Sequence, residues 1–445
     1  MASKQKQLKN ASKNAHNANQ DSQKGGLVNA IIRIGIVVIL VVYMLKPYLF
    51  DNRQGENASL QNFVVHGETM GTTWNAVICA NANKLIEINS ADKSTDSETI
   101  DSCEALLARI IQRKLDQVDT IASTYRTDSE ISKFNAWRST DWFDVSPETA
   151  EIVTIAQEVA KNTNGAFDVT VAPLVNLYRF GPNKSPLVAL PSDEQVEAVK
   201  QNVGYDKLEV RREPTPGLKK SIPTLTIDLS GVAKGYSADL AGKALEELGL
   251  DSYMLEIGGE IRCRGEKVDP ETLEREPWVL GIQTPEIVVN ETASYTPEMY
   301  RHINFKSYEN AAALATSGDY RNFLQVGDVR FSHIIDPRTG KPTEIVDEES
   351  HNVERLGSAS ILSSSCNDLS CAEADAYATA FFVLGAEEGL PIAEKLNVPV
   401  LYIIRKDDSA KELSELFSSA FSSFDSKTLE QIKEEKKAEE EAKKK

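Results

Sequence analysis

The most continuous apolar run in the chain comes early, in "LVNAIIRIGIVVILVVYMLKPYLF". A helix from Leu27 to Leu45 would rise about 28 Å at ~1.5 Å per residue, close to the ~30 Å hydrocarbon core of a bilayer. Arg33 sits near the leading end, where its guanidinium can snorkel back to the headgroups. Lys4, Lys6, Lys9, Lys13 and Lys24 precede the run, a bias that predicts a cytoplasmic N-terminal segment (residues 1–26) and an exported remainder. The flank "YMLKPYLFDNRQ" offers no small-x-small cleavage motif, and no cysteine follows to accept a lipid. The expectation is a single uncleaved transmembrane anchor (27–46) in an inner membrane, with the body of the chain on the periplasmic side.

Beyond a polar linker (47–62) the apolar period changes. "TWNAVICA" (73–80) suggests a strand. Residues 103–123 place Leu106, Leu107, Ile110, Ile111, Leu115, Val118 and Ile121 on one helical stripe. "SPETAEIVTIAQEVAKNTNG" predicts a helix with Ser146 as N-cap, Pro147 in the first turn and Gly165 as the stop. "TLTIDLSGVAKGYSADLAGKALEELG" reads as an extended β-type run (Thr224 to Leu229), a small-residue turn, then a helix from near Ala233. "WVLGIQ", "HINF" and "VPVLYIIR" read as strands. Two polar stretches, 89–102 and 265–277, read as surface excursions. The result is a mixed α+β body over 63–405, followed by a C-terminal segment (406–445) whose last part, "EEKKAEEEAKKK", is charged without apolar periodicity.

Composition narrows the function. The 445 residues carry a formal net charge of −18, with 41% hydrophobic and 26% charged residues. That field argues against nucleic-acid binding, though a metal ion or helix N-terminus can still create a local phosphate site. The five cysteines include no C-x-x-C pair, so no zinc site follows from their spacing. Cys366 and Cys371 can pair in an oxidising compartment or remain buried thiols.

Three segments carry candidate chemistry. In "DLSGVAKGYSAD" the unpaired N–H groups at a helix start suit a phosphate oxygen, with Lys234 as a nearby cation and Asp228 closing the run. The alternative is a plain tight turn capped by Ser230. In "RFSHIIDPRTGKP" His333 enters an apolar strand, as a general base or as a hydrogen-bonded structural histidine. In "CAEADAYATAFFVLG" Asp375 interrupts an almost wholly apolar helix, with Thr379 one turn on. A buried carboxylate costs several kcal/mol unless compensated. The i, i+4 pair supplies two hard oxygen ligands of the kind Mg²⁺ takes, or else Asp375 accepts hydrogen bonds from a neighbouring element.

Taken in order, "ETMGTTW", "STYRTDSEISKFN", "GAFDVTVAPLVNLYRFG", "DLSGVAKGYSAD", "LEIGGEIRCRG", "ATSGDYRNF", "HIIDPRTGKP" and "EADAYAT" resemble the ApbE family, the FAD:protein FMN transferases. The resemblance spans roughly Phe63 to Arg405. It implies an α+β, T-fold-like domain that binds FAD and Mg²⁺, cleaves the diphosphate, transfers FMN to a threonine of an acceptor flavoprotein and releases AMP. By motif match, Met70, Tyr125, Ala166, Phe167, Asp168, Asp228, Lys234 and Ile335 would contact FAD. Gly231 (through its carbonyl), Asp375 and Thr379 would ligate Mg²⁺, and His333 would take the acceptor proton. Some relatives carry a second acidic residue where Ala378 stands here. The implied acceptors are membrane flavoprotein subunits of sodium-pumping NADH:quinone reductase or Rnf-type complexes. FAD hydrolysis to FMN and AMP, and non-catalytic flavin binding at the membrane, are the alternatives that the motifs leave open.

Overall fold

The computed structural model describes residues 59–91, 102–182, 185–287, 298–305, 311–320, 322–346, 354–363, 369–407, 410–428, 431–435 and 437–438. The expected transmembrane anchor lies outside these residues, as does Cys366; among those described, no helix is long and apolar enough to cross a membrane. The chain divides into a small unit, whose described part is Ser59, Leu60 and 271–274, and a body formed by Gln61–Pro270 and Arg275–Lys445.

The body is built on an eight-stranded sheet. Its order is Leu60–Thr69, Thr72–Asn81, Tyr253–Ile257, Glu260–Arg264, Ala312–Gly318, Arg355–Ser363, Val400–Arg405 and Leu413–Phe417. A four-stranded sheet, formed by Asp425–Thr428, Met299–Phe305, Arg275–Gln283 and Glu266–Val268, packs on one face, and helices cover the other. Strand alternation explains the partition. Ala313, Ala315, Val400 and Tyr402 join the core under the helices, while Ala312, Leu314, Leu401 and Ile403 join the core under the second sheet. A strand buried on both faces needs apolar residues at every position, which is why "VLYII" shows no polar alternation.

Most helical expectations hold closely. Cys103–Ala122 is helical, and Leu106, Leu107, Ile111, Leu115, Val118 and Ile121 are buried along one face. Pro147–Asn162 is capped by Ser146, whose hydroxyl accepts from the Thr149 N–H, and stops shortly before Gly165, which turns the chain at φ +78°.

Four expectations are corrected. Thr224–Leu229 is not a strand: Leu225, Ile227 and Leu229 point inward, but the side chain of Asn135 replaces a strand partner. It accepts from the Ile227 N–H at 2.8 Å and donates to the Ile227 carbonyl at 2.9 Å. The helix that follows begins at Ser230 rather than Ala233. His333 does not lie within a strand but between two short ones, Val329–Ser332 and Ile335–Asp336. Residues 265–277 are not a simple excursion, because Glu266–Val268 pairs with Arg275–Pro277. The sheets also run on beyond Arg405, with Leu413–Phe417 paired to Val400–Arg405 and Asp425–Thr428 paired to Met299–Phe305.

Two helices position the chemistry. The lysine helix (Ser230–Glu247) and the aspartate helix (Cys371–Leu396, kinked at Gly385) pack against each other. Their contact is close because residue 235 is glycine: a Cβ there would lie against the Cys371 carbonyl oxygen and 2.6 Å from its carbonyl carbon. Asp239 of the lysine helix accepts the N–H groups of Cys371 (3.1 Å) and Ala372 (2.9 Å), satisfying donors that the start of the aspartate helix leaves orphaned.

Candidate active site

At the mouth of the helix pair lies a cavity of about 1340 Å³. It is larger than the ~300–1,000 Å³ usual for a small-molecule site. Met70, Tyr125, Ala166, Phe167, Asp168, Asp228, Gly231, Lys234, His333, Ile335, Asp375 and Thr379 all line it. Residues spread over some three hundred positions of sequence therefore converge on one surface.

Local structure explains each placement. Met70 and Gly71 form the two-residue turn between the first two strands, and both have positive φ (47° and 74°), the geometry of a tight hairpin turn. Asp168 starts a short 3-10 turn, its Oδ1 accepting from the Thr170 N–H (2.8 Å) and hydroxyl (2.7 Å). Burial pushes its carboxyl up to about 6, against the opposing pull of those hydrogen bonds. Asp228 Oδ1 accepts from the Ser230 N–H (2.9 Å) and hydroxyl (2.5 Å). Asp228, rather than Ser230, therefore fixes the turn into the lysine helix.

The centre of the site is a buried charge cluster. Lys234 Nζ makes a very short ion pair with Glu260 Oε1 and lies 3.5 Å from Asp375 Oδ1. Asp375 Oδ2 accepts the Gly235 N–H at 3.0 Å. Both carboxylates are almost fully buried, and Glu260 Oε2 has no hydrogen-bond partner among the described residues. Burial disfavours the Lys234 ammonium, but the Asp375 and Glu260 carboxylates outweigh it and hold its pKa above the ordinary lysine range. Burial pushes Glu260 upward, with Lys234 opposing and Asp375 reinforcing the shift.

Thr379 and Gly231 meet beside this cluster. A Cβ on Gly231 would lie 3.4 Å from Thr379 Oγ1 and 3.0 Å from the Phe167 ring. Thr379 Oγ1 also sits 3.2 Å from Ser317 Oγ. In a regular helix the Gly235 N–H turns toward the Gly231 carbonyl. Here Asp375 competes for that proton, which leaves the carbonyl lone-pair capacity for another partner. Among the described residues, no three His, Cys, Asp or Glu side chains converge as a metal site. The donors are instead one carboxylate, hydroxyls and a carbonyl. All are hard oxygens and few in number, which fits a magnesium ion whose remaining positions are filled by phosphate oxygens or water. The unpartnered Glu260 oxygen and the excess of carboxylates (Asp119, Asp168, Asp228, Glu256, Glu260 and Asp375, against Arg126 and Lys234) fit a cation as well.

His333 lies half-buried on the cavity wall, its ring edge-on to Phe180. Its Nδ1 is 2.7 Å from the Asn322 carbonyl oxygen, so Nδ1 carries the proton and Nε2 is left as the basic nitrogen. Burial lowers its pKa to about 4, and the Lys234 charge adds to that shift; the Asn322 carbonyl and Asp319 oppose it. The imidazole is neutral at physiological pH, as a general base must be.

The model of the ApbE family matches residues 70–402. The chain belongs to the ApbE family. Among similar ApbE proteins is the FAD:protein FMN transferase of Vibrio cholerae, 38% identical over 361 residues, or 81% of this chain and 92% of that protein. The FAD:protein FMN transferase of Escherichia coli K12 is 34% identical over 349 residues, 78% of this chain and 86% of that one. A solved structure, the flavin transferase ApbE from Vibrio cholerae, superposes with a TM-score of 0.62 at 34% identity, covering 82% of this chain and 99% of that one. The mixed α+β fold is thus that of the ApbE proteins.

Two residues of the site escape a reading of the sequence alone. Glu260 follows the Gly258-Gly259 hairpin tip, where φ is 60° and 106°, and the sequence shows there only an acid directly after a glycine turn, opening a strand that also carries two arginines. Asp239 ends the "GYSAD" block as one more acid on a helix. Its role as the cap of a second helix, remote in sequence, appears only in the packed structure.

Proposed function

We propose that this protein is a magnesium-dependent FAD:protein FMN transferase, cleaving FAD, attaching FMN through a phosphoester to a threonine of an acceptor flavoprotein and releasing AMP. The observation that carries this reading is the convergence of the FAD-contact candidates, the oxygen donors Gly231, Asp375 and Thr379, and the base candidate His333 on one cavity of a chain that matches flavin transferases over most of its length. Met70, Tyr125, Ala166, Phe167, Asp168, Asp228, Lys234 and Ile335 hold the dinucleotide in this reading. Lys234 sets a cation beside its diphosphate.

Gly231, Asp375 and Thr379 would hold Mg²⁺, which when bound offsets diphosphate charge in a cavity rich in carboxylates. His333 takes the proton of the acceptor hydroxyl at Nε2 while Nδ1–H stays on the Asn322 carbonyl. The threonine oxygen attacks the flavin-side phosphorus, the bond from that phosphorus to the bridging oxygen breaks, and AMP leaves with that oxygen. No covalent enzyme intermediate is needed. A positioned base of this kind contributes roughly 10²–10⁴-fold.

The acceptor belongs to the class of membrane flavoproteins exemplified by NADH:quinone reductase or Rnf-type subunits, and the 27–46 segment tethers the enzyme to the same membrane with its body on the exported side. The apolar length of that segment and the lysines before it support this placement. Mass spectrometry after incubation with FAD, Mg²⁺ and such an acceptor is expected to find the FMN mass on a threonine, with AMP released in equal amount. AMP released in the absence of acceptor, with no adduct in its presence, would assign the protein to FAD hydrolysis instead.

A further inference from the structure

The charge cluster contains one more carboxylate than diphosphate binding requires. Lys234 by itself would neutralise Asp375, and a buried carboxylate oxygen without a hydrogen-bond partner among the described residues, as Glu260 Oε2 is, is costly. The distances show what the extra carboxylate does. Lys234 Nζ is drawn onto Glu260 and stands 3.5 Å from Asp375 Oδ1, a long contact for an ammonium and a carboxylate. Asp375 Oδ2 is already committed to the Gly235 N–H. Oδ1 is thus the oxygen left for a cation, and Lys234 is the group that competes for it.

We propose that Glu260 is a positioning residue: its carboxylate draws the Lys234 ammonium away from Asp375 and so keeps Asp375 available to a divalent cation. This rests on the reading of Asp375 as a cation ligand. With Glu260 held ionised by its ion pair to Lys234, two carboxylates and one ammonium leave the cluster one negative charge in excess. Neutralising Glu260 removes that excess and leaves Asp375 as the one carboxylate within ion-pair reach of Lys234 among the described residues. The ammonium then closes on Oδ1 and excludes the metal. Removing Lys234 as well restores both the free oxygen and the excess negative charge.

The test uses Mn²⁺ as a paramagnetic probe, titrated into the full chain in detergent and followed by the loss of its free EPR signal, with no flavin and no turnover required. The wild type is expected to bind one Mn²⁺ that Mg²⁺ displaces and that Asp375→Ala abolishes. Glu260→Gln is expected to weaken binding about tenfold or more, and Glu260→Gln/Lys234→Met to return it to within about threefold of wild type. If Glu260 were itself a ligand, or served only to hold the fold together, the double variant would stay as weak as Glu260→Gln, and the proposal would be overturned. Unchanged affinity in Glu260→Gln would overturn it too. Should Glu260→Gln fail to fold, Lys234→Met is expected to bind Mn²⁺ at least as tightly as wild type, and weaker binding would count against the proposal. A wild type that binds no Mn²⁺ would remove the cation reading of Asp375 itself, and the inference with it.

Discussion

Replacing Gly235 with alanine tests how tightly the helix pair sets the site. The new Cβ would meet the carbonyl oxygen of Cys371, with its carbon 2.6 Å and Ala372 Cα 2.9 Å away. All three are backbone atoms, so no side chain can swing aside, and the helices must part by about 1 Å to restore ordinary contact. Overpacking of this kind costs about 1–3 kcal/mol. The same movement stretches the 3.0 Å bond from the Gly235 N–H to Asp375 beyond hydrogen-bond range, and a bond to a charged group is worth about 1.5–3 kcal/mol. Alanine returns about 1 kcal/mol in helix propensity. The net expectation is a loss of about 1.5–5 kcal/mol, within reach of a domain that remains folded. Because Asp375 shifts with its helix, AMP release should fall about 10²-fold, the cost of a ~1 Å misplacement at a reacting centre. Urea unfolding and Mg²⁺-dependent AMP release measure both effects, with Lys243→Ala on the exposed face of the same helix as the control. A Gly235→Ala protein as stable as wild type and equally active would refute the idea that this glycine sets the helix separation and, through it, the position of Asp375.

Further outcomes can be measured alongside. Asp375→Ala should abolish transfer while circular dichroism and melting temperature show a retained fold; full activity of this variant in magnesium-limited buffer would remove Asp375 from the ligand set. His333→Ala should slow transfer by about 10²–10⁴-fold yet leave FAD affinity, read from flavin fluorescence, within about twofold. Protonation removes the base, so the rate falls as the pH drops through the His333 pKa. Since burial lowers that pKa to about 4, the His333-dependent acid limb of kcat/KM should be centred near pH 4, and a limb near the ordinary 6.5 that vanishes in His333→Ala would contradict the buried environment. Arg405, fully buried, donates to Asp319 Oδ1 at 2.7 Å and Oδ2 at 2.5 Å. Arg405→Met should cost about 3–5 kcal/mol in denaturant unfolding by stranding that carboxylate, and Arg405→Met/Asp319→Leu should cost less than the single change. A double variant that loses as much as Arg405→Met, or more, would refute the stranded-carboxylate account.

Several features of this protein were determined locally and could be read along the chain. The Cys103–Ala122 stripe, the Ser146 cap and the Gly165 stop depend on residues within a few positions of one another, so their chemistry is complete in the sequence. The paired oxygens of Asp375 and Thr379 are likewise fixed by helical spacing alone. What the sequence could not determine was anything that needs a partner from elsewhere. Thr224–Leu229 carries a strand-like alternation, and only Asn135, some ninety residues earlier, decides that a side chain and not a strand satisfies it. The 265–277 stretch looks like a loop because its polar residues face solvent on a sheet whose other face is covered by the core. Glu260 and Asp239 are ordinary acids in isolation. Packing sets the one against Lys234 and the other against the start of the aspartate helix, because a charge in the interior takes its meaning from the few groups within reach of it.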